Sequence, residues 1–303
     1  MLVLRALGLG DLLTALPALR GLRAATAGER LVLAAPAWLE PVALLSGAVD
    51  GVLDTAPLGP VAGWPPRLAV NLHGRGPEST RRLRELGSPE IWAYDAPGAP
   101  GWEDGEHEVL RWCRLLEAHG VGCDPMALSL PHPGADAPAA GLTLVHPGGT
   151  APSRRWPASR WSAVAEALAG RGHRVAVTGS GAEVDLCRAV AAGAGLPAEA
   201  VLAGRLDLDE LCATVECSRL VLCADTGVGH LATAYSVPSV VLFGPVPPSV
   251  WGPPPGEPRH RALGGAAPSD PAADGPAPAL LAVGADDVLA AAEGVLAERR
   301  RRP

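Results

Sequence analysis

The chain has 303 residues, 48% of them hydrophobic, and a formal charge of −7. At about 150 residues per domain this length predicts two domains, each able to bury a core, and the negative charge excludes a general nucleic-acid binder. All 25 basic residues are Arg, so any cationic contact to a phosphate comes from a guanidinium, whose fork suits phosphate oxygens.

In chain order, residues 2–7 read as a strand and 11–25 as a helix with Leu12, Ala15, Leu16 and Leu19 on one face. Arg5, Asp11 and Pro17 interrupt this apolar start, and no small-residue cleavage site follows, so it reads as neither a signal peptide nor a membrane span. A strand at 31–34, a helix at 38–46, strands at 52–53 and 68–72, a helix at 78–86, a weak strand at 91–94 and a helix at 106–119 follow. The Pro/Gly/Ala stretch at 131–141 reads as a linker. The alternation then restarts: strand 142–146, helix 159–170 with Ser159 as its cap, strand 174–178, helix 183–194 and a short strand at 201–202. Helix 208–217, strand 220–224, helix 227–235 and strand 239–243 come next. The Pro-rich run 245–258 leaves the sheet, and 286–299 is a last helix. Alternating strands and helices predict parallel sheets covered on both faces.

The six cysteines form no C-x-x-C pair, and four lie in apolar helix or strand patterns. They are expected to be reduced and structural, as in a cytoplasmic protein. The Asp207-Leu208-Asp209 triplet resembles a metal-binding D-x-D, but with Glu210 it reads better as a helix capping box.

Ligands of parallel α/β sheets bind at the carboxyl ends of the strands, which directs attention to four loops. Gly8-Leu9-Gly10-Asp11 ends the first strand. Leu13 stands where a dinucleotide fingerprint needs its third glycine, so the turn instead delivers a carboxylate at a helix start. Asp11 is there either for chemistry or merely as a cap. His146-Pro147-Gly148-Gly149-Thr150, followed by Ser153, Arg154 and Arg155, joins a glycine turn to hydroxyl and guanidinium donors. Thr178-Gly179-Ser180-Gly181 makes no G-x-S-x-G elbow, which excludes a serine hydrolase at this loop. Glu183 beyond it is placed to accept bonds from ribose hydroxyls or simply to start a helix. Asp225-Thr226-Gly227-Val228-Gly229-His230 opens a helix whose first amides suit a diphosphate, with His230 facing either the ligand or the core.

Together these blocks resemble glycosyltransferase family 9, the bacterial heptosyltransferase family, from Leu2 to about Pro253. The N-terminal block is Gly10-Asp11 followed by Leu-Pro-Ala-Leu at 16–19; the second is 146–161, and the strongest is 225–231 followed by 240–245. The resemblance implies an α/β, GT-B fold: two Rossmann-like parallel-sheet domains facing across a cleft, 1–135 for the acceptor and 136–303 for the nucleotide sugar. It implies an inverting transfer of a heptose or related sugar from a nucleotide diphosphate donor, ADP-linked, to an acceptor hydroxyl, with Asp11 as general base. Donor contacts map to Thr150, Ser153, Arg154, Glu183, Asp225, Thr226, Gly227, Val228, Gly229 and His230, with Arg154 replacing the more usual Lys. Acceptor contacts map to Gly10, Asn71 and His73. Asn71 and Thr14 depart from the family, which more often has an acidic residue and a His there. No cofactor or metal is required on this reading, with Mg²⁺ a stimulant at most. The acceptor is a glycan, glycolipid or small molecule, and the location is cytoplasmic or peripheral at the inner membrane face. The alternatives are a nucleotide-sugar-binding protein without transferase activity and a GT-B sugar-nucleotide epimerase.

Overall fold

A computed structural model describes residues 1–265 and 269–301. The chain divides into two compact units, Met1–Pro131 and His132–Pro303, whereas the sequence reading draws the boundary at 135/136.

The first unit runs β1 (Leu2–Leu4), α1 (Leu9–Ala25), β2 (Val32–Ala35), α2 (Glu40–Leu45), β3 (Gly51–Asp54), β4 (Leu68–Asn71), α3 (Glu78–Arg84), β5 (Glu90–Trp92) and α4 (Glu108–Glu117). Its five strands are parallel in the order β3-β2-β1-β4-β5. β1, β2 and β4 are buried along their whole length, as strands covered on both faces must be. Strand order reverses between β1 and β4.

The second unit runs β6 (Thr143–His146), α5 (Ala158–Gly170), β7 (Val175–Val177), α6 (Val184–Gly193), α7 (Leu208–Glu216), β8 (Leu220–Ala224), α8 (Gly227–Ala234) and β9 (Ser239–Phe243). The short helix α9 (Pro248–Trp251), β10 (His260–Gly264), the short helix α10 (Pro278–Leu281) and α11 (Ala285–Arg301) complete it. The sheet order is β10-β9-β8-β6-β7, again all parallel, and the reversal lies between β6 and β8. Trp156, Trp161, Leu168, Val190, Leu222, Val240, Val288 and Leu296 belong to one buried apolar cluster that joins α5, α6 and α11 to the sheet.

Several details differ from the sequence reading. The Pro-rich run 245–258 lies outside the sheet, but it is followed by an edge strand that the sequence reading lacks, β10, which pairs with β9 from His260↔Ser239 to Gly264↔Phe243. Residues 201–202 form only an isolated bridge, Val177↔Val201. α5 begins at Ala158 with Pro157 at its cap, so Ser159 sits in the first turn rather than capping it. At α7 the Asp207 side chain accepts from the Glu210 N–H and Glu210 reaches back to the Asp207 N–H, the expected capping box.

The expectation of six reduced cysteines is corrected. Cys113 and Cys123 form a disulfide with their Cα atoms 5.3 Å apart, within the usual span. Gly120, at φ +77°, turns the chain back at the end of α4, and the Val121 N–H bonds to the Leu116 carbonyl, which returns Cys123 to the helix. Cys187, Cys212, Cys217 and Cys223 are free. Burial pushes the thiols of Cys187 and Cys212 up to about 12 and that of Cys223 further, so they remain neutral and unreactive.

Candidate active site

Both strand-order reversals carry sequence-predicted residues, as the rule for open parallel sheets requires. In the first unit, Gly8 has extended geometry (φ −88°, ψ −178°) at the start of α1. Asp11, in the first turn, accepts from the Gly8 N–H at 3.1 Å through Oδ2. Its Oδ1 meets Arg5 Nη2 at 3.2 Å, and a quarter of the side chain stays exposed. The capping role is therefore real, yet the carboxylate still faces solvent. Gly10 lies one residue before it, half-buried.

Arg5 follows β1 and is 1% exposed. Its Nε donates to the Asp11 carbonyl at 3.0 Å, Nη1 to the Leu72 carbonyl, and Nη2 also to Glu108 Oε1 at 2.8 Å. Glu108 accepts further from Trp112 Nε1 (2.8 Å) and from Arg111 (2.6 Å). Burial pushes Glu108 up, but Arg5, Arg111 and the Trp112 bond outweigh it and hold the carboxyl below its usual range. Sequence reasoning saw Arg5 only as an interruption. A lone Arg in an apolar strand run was the available signal for a buried, paired charge.

From β4, Asn71 is fully buried. Its amide donates to Ser79 (2.9 Å) and Thr80 (2.8 Å) and its oxygen accepts from the His73 N–H. Asn71 therefore shapes the loop and has no donor left for a ligand. His73 is half-buried beside Arg5 and Asp11; burial first, then the Arg5 charge, lower its pKa against the opposing pull of Asp11, so it is neutral at pH 7.

In the second unit the loops after β6 and β8 are tied by Arg154 Nη1 to Asp225 Oδ2 at 3.1 Å. Asp225 is 4% exposed, while Arg154 is partly open. Thr226 is the extended N-cap of α8 (φ −144°) and makes no side-chain cap bond; the Gly229 N–H bonds to the Thr226 carbonyl at 3.1 Å, which leaves the Gly227 and Val228 amides as the first-turn donors suited to an anion. Gly227 and His230 are half-buried, whereas Val228 is buried and offers only its backbone. An open pocket of about 210 Å³ lies here, lined in part by Asp225, Thr226, Gly229, His230, Phe243 and Trp251. The Trp251 ring meets His230 edge-on at 6.0 Å. The sequence reading did not single out Trp251, which sits in the Pro-rich run.

Thr150 is exposed on the β6 loop. Ser153 is fully buried and donates to the Pro271 carbonyl at 2.6 Å, so its hydroxyl faces inward. Glu183 accepts from the Gly149 N–H (2.9 Å), the Ser180 N–H (2.8 Å) and Ser180 Oγ (2.9 Å). Burial pushes its carboxyl up, but these bonds win and hold it low and ionised. His146, buried and 3.1 Å from Thr178 Oγ1, is kept neutral by burial. Among the described residues no cluster of three or more His, Cys, Asp or Glu could hold a metal ion.

The family model for glycosyltransferase family 9 (heptosyltransferase) matches residues 91–273. The chain belongs to this family. Over 101 residues it is 40% identical to lipopolysaccharide heptosyltransferase 1 of Pseudomonas aeruginosa, a stretch spanning 33% of this chain and 28% of that relative. Among solved structures, E. coli ADP-heptose lipopolysaccharide heptosyltransferase II matches with a TM-score of 0.78 at 18% identity, over 99% of both chains. A family 9 glycosyltransferase of Veillonella parvula matches at 0.76 and 19%, over 98% and 97%. At these identities the likeness speaks for the fold, which is GT-B. Among the described residues no helix is long and apolar enough to cross a membrane.

Proposed function

We propose that this family 9 member is an inverting glycosyltransferase that moves a heptose or related sugar from an ADP-linked donor to an acceptor hydroxyl. The observation that carries the reading is the Asp11 carboxylate: pinned by the Gly8 N–H and Arg5 at a strand-order reversal, yet a quarter exposed. ADP-heptose is the donor named for the structurally similar E. coli enzyme. On this reading Asp11 takes the acceptor proton as the new C–O bond forms at the anomeric carbon. The bond to the diphosphate breaks and its electrons leave with the phosphate oxygen. A weak base suffices, because the hydroxyl becomes acidic only as that bond forms.

Charge on the leaving diphosphate would be met by Arg154, Thr150 and the amides of Gly227 and Val228, with Gly229 keeping the backbone close to the ligand. Glu183 would receive the ribose hydroxyls, Asp225, Thr226 and His230 would border the sugar diphosphate, and Ser153 would hold the loop. Gly10 and the loop of Asn71 and His73 would receive the acceptor. With guanidinium and amides answering the diphosphate, a metal would be a stimulant only.

The test supplies ADP-heptose, other ADP-sugars and GDP-sugars with heptose-deficient lipopolysaccharide as acceptor and follows ADP or GDP release and the product. Asp11→Asn is expected to lower kcat at least about 100-fold while the Kd for ADP stays within a factor of two or so. Transfer by Asp11→Asn near the wild-type rate would remove the base assignment. An altered nucleotide sugar made without acceptor would indicate an epimerase, and ADP binding without turnover a binding protein.

A further inference from the structure

Glu108, the buried partner of Arg5, has no part in the chemistry described so far, although an isolated buried charge is among the most costly features a fold can carry. The Arg5 guanidinium donates four hydrogen bonds to acceptors of three elements: α1 through the Asp11 carbonyl and carboxylate, the end of β4 through Leu72, and α4 through Glu108. Thr14 Oγ1 lies 3.4 Å from Nη2 as well. The guanidinium also lies 4.9 Å from the centre of the Trp112 ring, and Trp112 itself holds Glu108.

We infer that Arg5, anchored by Glu108, is the positioning residue of the Asp11 carboxylate. This rests on the reading of Asp11 as the base. The geometry separates the two tasks. Glu108 takes the shorter bond of Nη2 (2.8 Å) and so anchors the guanidinium to α4. The Nε bond to the Asp11 carbonyl fixes the first turn of α1, and the longer 3.2 Å contact from Nη2 then sets the rotation of the Asp11 side chain. With Oδ2 held by the Gly8 N–H, the carboxylate has a donor on each oxygen. Its rotamer is thereby determined before an acceptor arrives. A base held in one orientation avoids the entropic loss of finding it during the reaction. A Lys at this position carries the charge but has no fork to span the Asp11 carbonyl, its carboxylate and Glu108 at once.

A residue that only stabilised the fold would lower stability and leave the turnover of folded molecules intact. A positioning residue instead lowers kcat through Asp11. The experiment is a double-mutant cycle of Arg5→Lys and Asp11→Asn in the full chain. It follows ADP release from ADP-heptose with heptose-deficient lipopolysaccharide, and ADP binding by calorimetry. Arg5→Lys is expected to reduce kcat about 30-fold or more, with the Kd for ADP unchanged. In the Asp11→Asn background the same change is expected to have no further effect beyond about twofold, because residues that act as a unit are not additive. Glu108→Gln, which keeps an oxygen for Trp112 and Arg5, is read in the same cycle and is expected to fall between wild type and Arg5→Lys; it carries the test if Arg5→Lys does not fold. An unchanged kcat in both variants, or losses that multiply with that of Asp11→Asn, would overturn the inference. Full activity of Asp11→Asn alone, or a wild type that releases no ADP, would instead be a failure of the transferase reading and is distinguishable by that single variant.

Discussion

Glu183 lies so close to Gly148 that a β-carbon on Gly148 would occupy the space of its carboxylate. Only glycine lets the β6 loop and the start of α6 share that carboxylate through Gly149 and Ser180. Gly148→Ala is therefore expected to push the Glu183 head aside and leave the Gly149 N–H without its acceptor. Hydrogen bonds to a charged group contribute about 1.5–3 kcal/mol, so the variant should lose roughly 1–2 kcal/mol of stability and about tenfold in ADP affinity. Thermal melting and calorimetry report the two effects. ADP affinity unchanged together with a lowered melting point would leave Glu183 a purely structural bridge. At this scale the sequence carried a good deal: Asp11, Arg154 and the 225–230 run were legible as polar groups ending strands. It did not carry the inward turn of Ser153 and Asn71, because a hydroxyl or amide in a loop reads the same whether its partner is a ligand or a carbonyl 118 residues away.

At the scale of elements, α1 runs against the loop that follows α4. A β-carbon on Gly21 would stand 2.6 Å from the Gly122 carbonyl oxygen, in a segment that the Cys113–Cys123 disulfide ties to α4. Two effects oppose each other in Gly21→Ala. Helix propensity favours Ala by about 1 kcal/mol, whereas forcing apart a packed backbone costs typically 1–3 kcal/mol. Because the loop is tethered, the clash should win, with a net loss of about 1–2 kcal/mol in denaturant melts. A stabilised Gly21→Ala would mean that the loop yields freely. Element type was largely readable here, since β8 and β9 are buried apolar runs with sharp boundaries. β10 was not, because an edge strand after a proline-rich segment has neither a long apolar run nor a clean alternation, and its pairing with β9 supplies what its own residues lack.

For the molecule as a whole, pH decides stability through histidines held neutral in the second unit. His260 is 5% exposed, with Nδ1 2.8 Å from Ser239 Oγ. Burial pushes its pKa down from 6.5 to about 4 despite the opposing Glu257 charge. The unfolded chain takes up this proton below pH 6.5 and the folded one only near 4, so the stabilisation is complete above pH 6.5 and is lost progressively as pH falls toward 4. A shift of this size corresponds to about 3 kcal/mol, a large part of the 5–15 kcal/mol typical of a domain. His146 acts in the same direction. Urea melts at pH 7, 5.5 and 4.5 should show falling stability before most carboxylates titrate, and His260→Gln should flatten the slope. Equal slopes for the two proteins would remove His260 from this account.

Local pattern alone determined that the chain alternates strand and helix, that its loops after strands are rich in glycine and polar groups, and that its cations are guanidinium. These properties depend on neighbours within a few residues, where periodicity, turn chemistry and side-chain type act directly. Tertiary structure decided what depends on distance along the chain. It set the strand orders that bring the loops after β6 and β8 side by side, and joined Arg154 to Asp225 across 71 positions. It also joined Arg5 to Glu108 across 103. A charge in an apolar strand is stable only once a distant partner arrives, and no local pattern of residues specifies which partner that is.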